Sequence, residues 1–66
     1  MEFTLSKMEL LKIAAVTGHH SPARKAFLYF EEVERSFKST AAKFDTETRA
    51  FTVWAPEAPG YRETFK

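Results

Sequence analysis

SPARKAFLYFEEVERSFK, residues 21–38, decides the fold, because it is the longest stretch of the chain with one coherent period. Ala23, Ala26, Phe27, Phe30, Val33 and Phe37 recur at the i, i+3, i+4, i+7 spacing that stripes one side of an α-helix. Ser21 then Pro22 is a start signal: the serine oxygen can accept from an orphan N–H, and proline at the first helical position gives up no hydrogen bond. Glu31 to Arg35 and Glu34 to Lys38 are i,i+4 pairs in the favourable order, on the flank expected to face water. The spacing therefore predicts a central helix over residues 22–38, with Phe30 and Phe37 in the core.

Upstream, Ser6-Lys7-Met8-Glu9 has the form of a capping box, in which serine and glutamate each satisfy one backbone N–H at a helix start. Leu5 before the cap and Leu10 after it stand at hydrophobic-staple spacing. A helix over about 7–17 follows, with Leu11, Ala14, Ala15 and the staple pair as its apolar face and Gly18 suited to end it. Glu2 to Leu5 alternates like a short edge strand.

Downstream the period changes from helical to two. Residues 40–44 and 50–54 flank Asp45-Thr46-Glu47-Thr48, which suits a type I hairpin loop. Phe44, Phe51 and Val53 are predicted to face the helices, with Lys43, Thr52 and Trp54 on the other side. Pro56 stops the second strand, and Pro59-Gly60 fit the middle of a type II turn before a third short strand from Tyr61 to Phe65. The expected fold class is α+β: two packed helices followed by a small antiparallel meander, with a short N-terminal strand.

Sixty-six residues make a single small domain, near the lower size at which one core stabilises itself without a staple. There is no cysteine, so no disulfide framework, and two histidines with one aspartate offer little for a metal cage. Ten basic against nine acidic residues leave a net charge of +1, which argues against affinity gained by blanketing phosphates. The apolar run at residues 8–17 is interrupted by Lys12 and is too short to span a membrane, and no signal peptide is read before it. The expectation is a cytoplasmic protein without membrane contact, and the initial Met1 with no linker reads as a complete small gene product.

Little in the chain carries chemistry. His19 and His20 are adjacent in a turn, so they diverge rather than chelate one ion, and no third ligand stands at a useful spacing. Phosphate loops, paired carboxylates and a serine–histidine–aspartate order are all missing, so the chain reads as a non-enzyme with no cofactor and no metal. His19, His20, Ser21, Arg24 and Lys25 nonetheless gather cations at a helix start, where the dipole prefers an anion. Helix, glycine-containing turn, helix and hairpin together resemble a minimal winged-helix layout, which would put these residues against DNA. The same outline serves an ordinary packed helix pair.

The aromatic share of 15% supplies the other candidates. Leu28, Trp54, Tyr61 and Phe65 exceed what the inner faces of so small a domain can hold, so they are expected to contact a partner. The leading expectation is a small regulatory or inhibitor protein of phage or mobile-element type that binds a host or regulatory protein through an aromatic-rich surface. A winged-helix-like DNA-binding regulator is the alternative, and a single-strand binder using Phe51, Trp54 and Tyr61 a third. A two-fold homodimer is a further expectation, because a sheet edge guarded only by Lys43, Arg62 and Lys66 invites pairing.

Overall fold

A computed structural model describes all residues, Met1–Lys66. The elements run β1 (Glu2–Leu5), α1 (Lys7–Thr17), α2 (Pro22–Ser36), β2 (Ala41–Asp45), β3 (Ala50–Ala55) and β4 (Ala58–Phe65). All four strands form one antiparallel sheet in the order β1-β2-β3-β4. The two helices pack against each other over one face of it, α2 above β3 and β4. This is the α+β arrangement that the periods predict, with the N-terminal strand completing the meander.

The core is the α2 stripe meeting the inner face of the sheet. Ala23, Ala26, Phe27, Phe30 and Val33 are buried from α2, Leu10 and Ala14 from α1, and Ala42, Phe51 and Val53 from the sheet. Register pairs Phe44 with Phe51 and Ala42 with Val53, so their side chains share that face, as two-residue alternation requires. The capping box forms: Ser6 Oγ accepts from the Glu9 N–H at 3.1 Å, and Glu9 Oε1 accepts from the Ser6 N–H at 2.8 Å. Gly18 ends α1 at φ 98, ψ 173, a region essentially reserved for glycine.

Four expectations are corrected. First, α2 stops at Ser36, and Phe37 is an extended cap at φ −135, ψ 155 rather than a core residue. Its ring stands edge-on to Tyr61 at 4.8 Å, so a contact with β4 draws it off the helical stripe. Second, the i,i+4 pairs do not close. Glu34 reaches Lys7 of α1 at 2.6 Å, because Lys38 lies beyond the helix end. Third, Leu11 and Ala15 are exposed, and α1 buries Leu10 and Ala14 with Ile13 beside them. Fourth, Pro59 and Gly60 lie within β4, and the chain reverses through Pro56 and Glu57 between the paired Ala55 and Ala58. An edge strand tolerates proline where the missing N–H would face away from the neighbouring strand.

Polar contacts tie the loops to this frame. Glu57 Oε1 accepts from the N–H of Lys38 at 2.8 Å and of Ser39 at 3.3 Å, joining the β3–β4 turn to the α2–β2 loop. Asp45 Oδ1 accepts from the Glu47 N–H at 2.8 Å and shapes the hairpin tip, where Arg49 takes a positive φ of 58.

Backbone donors hold the carboxyls of Glu9 and Asp45 below their usual range, the Ser6 N–H for the first and the Glu47 N–H for the second. A carboxylate whose folded pKa is depressed contributes stability above its unfolded pKa and loses it as pH falls through the folded value. The melting temperature should therefore fall on acidification from about pH 4 downward. Glu9→Gln with Asp45→Asn should flatten that acid limb in a thermal-melt pH series; an unchanged slope would remove these two groups as its cause.

Candidate functional site

Alternation along β4 puts Tyr61, Glu63 and Phe65 on its inner side and Arg62 and Thr64 on its outer side. Tyr29 of α2 lies 6.0 Å from Phe65, ring to ring, while Phe37 sits on Tyr61. These two contacts fix α2 as running antiparallel to β4. Between these contacts a gap remains between helix and strand. The result is a recess of about 260 Å³ lined by Tyr29, Glu32, Val33, Ser36 and Tyr61. It is the chain's one pocket, with Phe37 near the Tyr61 end and Phe65 near the Tyr29 end.

The recess is aromatic and acidic. Burial pushes the Tyr29 hydroxyl pKa up, and the carboxylates of Glu63 and Glu32 raise it further. The chain's three ion pairs use Glu47, Glu34 and Glu2, which leaves Glu32 and Glu63 without a cation. Val33 forms the buried floor and Tyr61 the half-exposed rim. A site of this kind can hold one side chain by ring contact and charge. It presents no nucleophile with an orienting base.

The predicted partner-binding residues divide. Tyr61 lines this recess, and Phe65 stands against Tyr29 at its other end. Leu28 is half-exposed on the outward side of α2, and the N-terminal segment does not cover it. Its neighbours one turn away are Arg24, Lys25, Glu31 and Glu32, so it is a single apolar residue among charges, which surfaces commonly carry. Trp54 is on the opposite face of the sheet. Lys43 Nζ stands 5.9 Å and the Arg62 guanidinium 5.3 Å from its ring centroid, and Lys43 also pairs with Glu2 at 2.8 Å. Glu2, Lys43, Trp54 and Arg62 thus form a row across β1, β2, β3 and β4, and the indole is engaged within the chain. Phe51 is buried on the inner face, so Phe51, Trp54 and Tyr61 make no common stacking platform.

The cationic group at the start of α2 is also placed. His19 and His20 are exposed, Lys25 is exposed and Arg24 half-buried. The Ser21 hydroxyl accepts from the Arg24 N–H at 3.1 Å and from Thr17 Oγ1 at 2.8 Å, and donates to the Gly18 carbonyl at 2.9 Å. Its capacity is spent on the α1–α2 joint, which leaves nothing to read a base edge. Lys43 is not an edge guard, because β2 is an interior strand.

Alternation alone places Tyr61, Glu63 and Phe65 on one side of a strand. Glu32 carries no signal of its own in the sequence, and only the path of α2 over β4 brings Tyr29 and Glu32 there. The accessible surface of 4500 Å² is close to the roughly 4300 Å² expected for a 7.6 kDa monomer. No helix is long and apolar enough to cross a membrane. No protein-family model, curated protein or solved structure matches the chain.

Proposed function

We propose that this chain is a small, non-enzymatic, cytoplasmic regulator that binds a partner protein through the α2/β4 side. The observation that carries this reading is the recess at Tyr29, Val33 and Tyr61, with Phe37 and Phe65 beside it. Aromatic side chains that are half in water and half packed supply contact area at low entropic cost, as interface anchors do. A regulator or inhibitor of phage or mobile-element type accords with the small size and with the lack of reaction chemistry.

DNA binding through the start of α2 is the second reading, favoured by one observation. Arg24 and Lys25 take part in no ion pair, so both charges are free to meet an anion. Against it, Glu31 and Glu32 follow on the same helix within two turns and would meet phosphates with like charge.

One affinity-capture experiment separates the two. The wild-type chain, Tyr61→Ser, and the double reversal Arg24→Glu/Lys25→Glu are immobilised, and the retained material is split into protein and nucleic acid. The expected result is a protein retained by the wild type and by the double reversal but lost with Tyr61→Ser. Nucleic acid that is held by the wild type and lost with the double reversal would overturn the proposal.

A further inference from the structure

The same recess lies along an open sheet edge. β4 is the last strand of the sheet, eight residues long from Ala58 to Phe65, and its side away from β3 has no partner strand. Such an edge is a row of free N–H and C=O groups, and native chains use it to accept an extended segment. At the other edge, β1 has four residues, and the Met1 carbonyl already accepts from the Thr46 N–H at 2.9 Å. The long edge is the one with a pocket beside it.

Building on the partner-binding reading, we propose that an extended segment of the partner protein adds to the β4 edge. It places a lysine or arginine side chain in the recess between Tyr29 and Tyr61.

Charge selects this occupant. Glu32 lines the recess, and Glu63 stands between Tyr61 and Phe65 on the same side of β4; neither has a cation in the chain. Tyr29 and Tyr61 put two phenol rings in the lining, against which a cation can pack, and the carboxylates complete its coordination. The volume, about 260 Å³, suits one long side chain and falls below the span of ordinary small-molecule sites. A second copy of the chain is a poorer occupant. Pairing β4 on β4 about a two-fold axis would bring two acidic recesses together, like charge against like. In a strand-added complex the backbone supplies affinity and the pocketed side chain supplies selectivity, so both halves can be measured separately.

The probe is a labelled, acetylated nonapeptide of sequence STVTKTVTS, with versions carrying arginine, alanine or glutamate at the centre. Anisotropy titrations should show the lysine and arginine peptides binding at least about tenfold tighter than alanine, a difference expected of one cation held by rings and carboxylates. Glutamate should show no binding. Glu32→Gln/Glu63→Gln should erase the preference for the basic peptides, and amide exchange at residues 60–65 should slow in the complex. Equal binding by all four peptides, or a preference that survives the double glutamine variant, overturns the inference. So does protection of residues 60–65 that appears without peptide and is lost on dilution, the mark of a second copy. If capture of a partner depends on Tyr61 while the peptide series is flat, this inference falls and the partner-binding reading stands. If neither is seen, both fall.

Discussion

Phe30→Ala is expected to destabilise the protein by about 3–5 kcal/mol, the usual loss when a buried phenyl is cut back to a methyl. A chain of 66 residues has in total only about 3–10 kcal/mol of stability to lose. Phe30 is 5% exposed and lies at the centre of the α2 stripe, within the single core cluster that joins both helices to β2 and β3. No second core exists to hold part of the chain together. The variant should therefore lose its cooperative melt or show it many degrees lower. Phe37→Ala is the control from the same predicted stripe. Half-buried beyond the helix end, with its ring against Tyr61, it should cost clearly less. Equal losses for the two variants in denaturant melts would mean that the stripe is not the organising core.

The difference between those two phenylalanines shows where the sequence is readable. Spacing along α2 is a local property, so Ser21, Pro22 and the buried positions from Ala23 to Val33 follow from the chain itself. Phe37 keeps the same spacing but leaves the helix, because its ring partner is twenty-four residues away on β4. The same limit governs the site. Alternation puts Trp54 on the outer face and Tyr61 on the inner one, yet Tyr29 and Tyr61 become neighbours only through the packing of α2 over β4. The Pro59-Gly60 pair has the chemistry of a turn, but pairing of Ala55 with Ala58 fixes the reversal at Pro56 and Glu57. Tertiary register outweighs local turn preference there.

α1 is the least readable element, and a second core truncation shows why. Its residues from Met8 to Val16 are apolar on nearly every side, so periodicity cannot choose which of them to bury. The choice is made by the entry angle. The capping box at Ser6 and Glu9 fixes where the helix begins, and Leu5, packed against the core, stands one residue before it. From that start Leu10 falls inward and becomes fully buried, with Ala14 one turn later, while Val16 is 86% exposed. Leu10 is the one large side chain of α1 that is wholly removed from water, so the docking of the helix depends on it. Leu10→Ala should cost about 2–5 kcal/mol, transfer free energy plus the cavity left beneath a helix held by few other groups. Val16→Ser, on the same helix with similar hydrophobic bulk, should change stability by less than about 0.5 kcal/mol. Amide exchange adds a regional readout. Loss of Leu10 should release residues 7–17 at lower free energy than residues 22–36, because α2 keeps its contacts with β3 and β4. Uniform loosening of both helices would show instead that α1 and α2 open as one cooperative unit.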